Sequence, residues 1–126
     1  MSHAQYEILA TEPEIRYHVL KFVGGSAAVT KVYGRGMSIA YTATGRVTVT
    51  WSDETSPPGN FIGVTGFCFQ GTTPGDVDLF QLVHEGYTAS TRTVVLNMYE
   101  SGSLADLAAL EWLTVTFAFT ETSGLF

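Results

Sequence analysis

The sequence predicts an all-β protein: short alternating strands imply a sandwich or barrel, of which an antiparallel β-sandwich, jelly-roll-like, with about eight strands and an extended N-terminal arm is expected. Three observations carry this reading. Apolar residues recur with a period of two along most of the chain. Clusters of Gly, Pro, Asn and Ser interrupt those runs at short intervals. A length of 126 residues, 45% of them hydrophobic, suffices for one core and leaves no room for a second. The expected division is an arm over residues 1–16 and one sandwich domain over residues 17–126.

Alternation is clearest in three runs. Arg46–Ser52 places Val47, Val49 and Trp51 on one face and Arg46, Thr48, Thr50 and Ser52 on the other. Leu113–Thr120 aligns Leu113, Val115, Phe117 and Phe119, and Thr93–Tyr99 aligns Val94, Leu96 and Met98. Five further strands are predicted over Tyr17–Val23, Ala28–Tyr33, Met37–Thr42, Phe61–Phe69 and Val77–Tyr87, the last bent or bulged at its length. Phe61–Phe69 is apolar on both faces, as a central strand covered on each side would be. Its Gly63 and Gly66 point to close backbone approach or a bulge. The step from Tyr41 through Thr44-Gly45 into Val47 reads as a tight hairpin, with Gly45 supplying its left-handed residue. Leu104–Leu110 follows Ser103, a possible N-cap, yet is too short for a stable helix and predicts a single turn within a loop. The arm, with Glu7, Glu12, Pro13 and Glu14, carries the apolar anchors Tyr6, Ile8 and Leu9. Such arms either fray or bind something.

Charge excludes some partners. Six basic residues stand against twelve acidic ones, a net charge of -6, so the basic footprint that nucleic-acid binding needs is missing. Residues 1–46 hold five bases against three acids, and residues 47–126 hold only Arg92 against nine acids. That split polarises the molecule unless folding interleaves the halves. No segment approaches the roughly 20 apolar residues of a membrane span, and no basic start precedes a long apolar core. The expectation is a soluble protein made in the cytosol, with no membrane partner.

Candidate chemistry is sparse. His3, His18 and His84 share no ligand spacing with each other or with Cys68, so no metal site is expected. Cys68 reads as a small buried hydrophobe. Asp53-Glu54 and Asp76/Asp78 lack the alternating donors and closing glutamate of a calcium loop, and read as solubilising turn acids. No Gly-x-Ser-x-Gly elbow and no cysteine with a neighbouring base occurs, and Gly24-Gly25-Ser26 and Gly34-Arg35-Gly36 read as turns rather than phosphate loops. No enzyme activity and no cofactor are expected. Trp51, Trp112, Tyr99, Tyr87 and Phe126 offer either a sugar-stacking face or ordinary core stock. Trp112 stands apart: alternation sets it opposite Leu113 and Val115, outside the main core, where it suits an interface with another chain.

The stretch Gly34–Trp51, a strand and Thr-Gly hairpin running into an alternating Val/Thr strand, resembles a segment of small all-β virion proteins of tailed bacteriophages. Arg92–Ser103, followed by Ala105-Asp106 and the strand Leu113–Thr120, is similar too. Those proteins are head decoration, or cement, proteins and related tail or fibre tip domains. The resemblance covers residues 16–122 in pattern, and the insert Leu104–Glu111 departs from it. It implies a homotrimer on the capsid surface of the virion, made in the host cytoplasm, that binds the major capsid protein or another virion protein and stabilises the head shell. The expected contact residues are Tyr6, Ile8 and Leu9 of the arm, and Trp112. The alternative it implies is a receptor- or carbohydrate-binding tip domain of a tail fibre.

Overall fold

The structure, a computed structural model, describes residues 15–52, 61–72 and 80–120. These form nine strands and, among the described residues, no helix: β1 (Ile15–Gly25), β2 (Ala28–Tyr33), β3 (Met37–Ala43), β4 (Arg46–Trp51), β5 (Phe61–Gln70), β6 (Phe80–Thr88), β7 (Thr93–Glu100), β8 (Ser103–Leu104) and β9 (Trp112–Thr120). One sheet has the order β2-β1-β9-β5. The other has the order β3-β4-β7-β6, with the short β8 paired to β7. Every strand pairing is antiparallel, and the sheets face each other as a sandwich. The predicted fold class is the one the chain adopts.

Period-two alternation builds the core directly. Leu20 and Phe22 of β1 and Leu113, Val115, Phe117 and Phe119 of β9 meet Val47, Val49 and Trp51 of β4 and Val94, Leu96 and Met98 of β7, all of them buried. At about 1.5–3 kcal/mol for each large apolar side chain removed from water, these layers outweigh any single polar contact on the surface. Trp51 lies at their centre. Its ring makes edge contacts with His18, Tyr87, Phe117 and Phe119, at centroid distances of 6.2, 5.9, 5.1 and 5.4 Å.

Two expectations are corrected. The run Phe61–Phe69 is not central: β5 is an edge strand, paired only with β9. Its glycines do mark bulges, since the register shifts between Phe61 and Gly63 and again between Val64 and Gly66. Phe61, Val64 and Phe69 pack on the core, while the other side of the strand faces out. Cys68 is therefore exposed, not buried, because its partner on β9 is Thr114, an outward position. The expected bulge in the sixth strand lies between His84 and Tyr87.

The insert after Ser103 forms no helical turn of its own kind but a clasp across one end of the sandwich. Leu107 is buried in the core cluster. The Asp106 carboxylate accepts from the Gly45 backbone N–H through Oδ1 (2.7 Å) and from the Tyr41 hydroxyl through Oδ2 (3.0 Å), which fixes the β3–β4 hairpin. Gly45, with φ of 71°, is the left-handed residue of that hairpin, as predicted. On the opposite sheet, Gly24 N–H donates to the Glu111 carbonyl at 2.9 Å. A Cβ at Gly24 would lie 2.4 Å from Leu107 Cβ and 2.5 Å from its carbonyl oxygen.

Because backbone as well as side chain obstructs that position, Gly24→Ala is expected to destabilise the protein by about 3 kcal/mol, the upper part of the overpacking range. Gly66→Ala, where nothing lies within 4 Å, is expected to change stability by less than about 1 kcal/mol. Urea unfolding followed by circular dichroism separates the two; equal midpoints would mean that the clasp does not hold β1.

Candidate interaction face

The two outer faces differ in chemistry. On the five-stranded sheet, Arg46, Asn97 and Glu85 close a ring of hydrogen bonds. Arg46 Nε donates to Asn97 Oδ1 (3.0 Å), Arg46 Nη2 to Glu85 Oε2 (2.5 Å), and Asn97 Nδ2 to the same Glu85 oxygen (3.0 Å). The hydrogen bond from Asn97, followed by that from Arg46, holds the Glu85 carboxyl below the usual carboxylate range. Beside this ring the Thr42 and Thr48 hydroxyls bond each other at 2.7 Å. Polar groups on this face satisfy one another.

The outer face of the four-stranded sheet is apolar and aromatic. Alternation along β1 turns Leu20 and Phe22 inward and presents Tyr17, Val19, Lys21 and Val23 on the other side. Trp112, Thr114 and Thr116 of β9 lie beside them, in register with Val23, Lys21 and Val19. Tyr33 of β2 pairs with Lys21. Tyr17 and Tyr33 are each 61% exposed and Val19 is 37% exposed. Lys21 is the one charged residue among these positions, and its ammonium lies over the Trp112 ring, 4.7 Å from the centroid. A cation–π contact of this exposed kind contributes about 0.5–1 kcal/mol and holds the indole against the sheet.

The outward placement predicted for Trp112 is what the structure has, though the ring is half-buried beneath Lys21. Tyr6, Ile8 and Leu9, the acidic pairs Asp53-Glu54 and Asp76/Asp78, His3 and Phe126 lie outside the described residues. Trp51, one of the residues considered for a sugar-stacking face, is fully buried, and Tyr87 packs against the core. Tyr17, Val19 and Tyr33 were not singled out by sequence. The signal was present: along Tyr17–Val23 both faces carry apolar residues, Tyr17, Val19 and Val23 on one and Leu20 and Phe22 on the other, so one set had to be left outside. The sequence does not say which neighbour covers the other set.

Two other places bring polar groups together. A cleft of about 480 Å³ is lined by Lys31, Gly36, Met37, Ser38, Thr50, Trp51, Ser52 and Arg92. Its cations serve as struts: Lys31 Nζ donates to the carbonyls of Gly34 (3.1 Å) and Met37 (2.7 Å), and Arg92 Nε to the carbonyl of Trp51 (3.0 Å). The two described histidines, His18 and His84, point toward the aromatic core between the sheets. His18 Nδ1 accepts from Trp51 Nε1 at 3.4 Å, and His84 Nδ1 accepts from the Gly86 N–H at 3.1 Å. Burial, and secondarily the Arg16 guanidinium, push the His18 pKa down.

The chain matches no protein-family model, no curated protein and no solved structure.

Folding holds His18 neutral, so the unfolded chain takes up its proton first as the pH falls through the ordinary histidine value of 6.5. The stability this group confers is complete above 6.5 and is lost as the pH falls from there toward the lowered folded-state value. Unfolding free energy measured from pH 8 to pH 5.5 should therefore decline, and decline less in His18→Gln. Parallel curves for the two proteins would remove His18 as the source.

Proposed function

We propose that the chain is a structural protein of a virion, a homotrimeric head decoration protein that binds and stabilises the shell. The observation that carries this reading is the contrast between its outer faces. One centres on the Arg46–Asn97–Glu85 hydrogen-bond ring, with Val83 the exposed apolar residue beside it; the other presents Tyr17, Val19, Tyr33 and Trp112 with Lys21 as the single charge among them. Large apolar patches rimmed by polar residues mark contact surfaces, and Tyr and Trp are enriched at the centres of interfaces while most charged residues are depleted there. The resemblance of residues 16–122 to phage virion proteins supplies the kind of partner, the major capsid protein or another virion protein.

The fibre-tip reading meets a physical objection at Trp112. A sugar stacks on an open ring face, and the Lys21 ammonium already covers one face of this half-buried indole. Coat protein, which brings its own apolar surface, suits the whole patch better than a sugar suits that ring.

Sedimentation of the protein with purified heads that lack it tests the reading. Tyr17→Lys and Trp112→Ala should each weaken shell binding on the order of 30-fold, as losing an interface hot spot of about 2 kcal/mol does, with the circular dichroism spectrum unchanged. Undiminished binding by both variants would move the contact off this face. Electron microscopy that located the protein at a fibre tip would overturn the decoration reading.

A further inference from the structure

Among the described residues, the four strands that end the two sheet orders, β2, β5, β3 and β6, each carry an extra residue that breaks their ladder. β2 is shifted at Val32, between the pairs Lys21–Tyr33 and Phe22–Lys31; β3 at Thr42; β5 at Ile62 and Thr65; and β6 between His84 and Tyr87. The central ladders β1–β9 and β4–β7 run without a shift. Bulges on exposed edges prevent another strand from pairing there. The sandwich thus closes its edges to strand addition at β2, β3, β5 and β6.

One stretch escapes this protection. β1 pairs with β9 from Ile15 to Val23, but β2 accompanies it only from Lys21 onward. Among the described strands, Tyr17–Leu20 is therefore flanked on one side alone. It is regular and unbulged, and its outward side chains Tyr17 and Val19 are exposed. A central strand left open over half its length is a slot for one more strand.

We infer that the Tyr17–Leu20 edge of β1 accepts the N-terminal arm of a second copy of this chain as an added strand. Fourteen residues precede β1, which at full extension reach about 45 Å, far enough to cross to a neighbouring protomer. Within them Tyr6, Ile8 and Ala10 alternate with Glu7, Leu9 and Thr11, a pattern that presents Tyr6 and Ile8 on one face of a strand. The arm segment contains Glu7, Glu12 and Glu14 and no Lys or Arg, whereas Arg16 and Lys21 bracket the slot. The copy's own arm is a poor occupant. It would have to reverse through Glu12-Pro13-Glu14 directly into β1, and the tight hairpin turns that match strand twist need positive φ at their first central residue. Proline fixes φ near -65°, and the residue before it favours extended backbone, so a tight hairpin turn of that kind is disfavoured at Glu12-Pro13-Glu14. An arm given to the next copy around a ring, with each slot filled in turn, closes the assembly.

This inference deepens the trimer reading and rests on it. Light scattering of the full chain should return a multiple of the 13.6 kDa protomer, and a protomer alone would remove the trimer reading itself. Ile8→Pro, which takes one donor from the arm and leaves the described sandwich untouched, should reduce the assembly to protomers. Its circular dichroism should be unchanged, and hydrogen-exchange protection of the Tyr17–Leu20 amides should fall at least tenfold. Pro13→Asn combined with Glu14→Gly, which installs a hairpin turn at the junction, should give a protomer that keeps that protection, its arm folded back on itself. An assembly whose mass and amide protection survive both variants would overturn arm exchange while leaving the trimer standing.

Discussion

The structure depends on Trp51 spanning the gap between the sheets. The residue belongs to β4, yet three of its four ring partners, His18, Phe117 and Phe119, come from β1 and β9 of the facing sheet. Edge-to-face aromatic pairs each contribute about 0.5–1.5 kcal/mol beyond area burial, and they also set distance and angle. A core of aliphatic side chains alone permits the sheets to slide on one another. A large ring wedged edge-on among four others does not. The same cluster explains why His18 is tolerated inside: its Nδ1 accepts from the Trp51 indole, and its neutral form is the one that burial favours.

The clasp of residues 104–111 does at one end of the sandwich what Trp51 does in its middle. Asp106 reaches the β3–β4 hairpin of one sheet, and Glu111 and Leu107 reach Gly24 on the other. Glu111 also accepts from the Ala108 N–H at 2.7 Å, so the loop braces itself. Side chains here are used singly, at positions fixed by two glycines distant in sequence. No periodicity encodes such a device: Leu104–Leu110 predicted only a single turn within a loop, and beyond Leu104 of β8 the structure builds irregular, well-bonded backbone.

What the sequence made legible was whatever depends on neighbours along the chain. The inward sets Val47/Val49/Trp51, Val94/Leu96/Met98 and Leu113/Val115/Phe117/Phe119 all lie in the core as alternation required, and Gly45 turns the hairpin. Sheet order is a different kind of fact. Phe61–Phe69 has the composition of a central strand, but an edge strand whose inner side meets Phe117 and Phe119 needs the same residues, and only the glycine bulges hinted at its place. The exposure of Cys68 followed from that placement. For the interaction face the reach was similar: Trp112 could be set outside by counting from Leu113, whereas the exposure of Tyr17 and Tyr33 depends on β2 ending opposite Lys21.

The same topology decides the fate of the charge asymmetry. The basic N-terminal portion and the acidic remainder do not form separate lobes, since β1 and β2 share a sheet with β5 and β9, and Arg46 is bonded to Glu85. Among the described residues this interleaving sets Arg46 of the basic portion against Glu85 of the acidic one. It also concentrates the polar groups of the five-stranded sheet on one another and leaves the β1–β9 face with a single ammonium, itself set over an indole. A face of that composition gains little from water and loses little when covered. An added strand beside Tyr17–Leu20 would continue this face rather than interrupt it, so the edge proposed to admit a neighbour and the surface proposed to meet a shell would be parts of one contact surface.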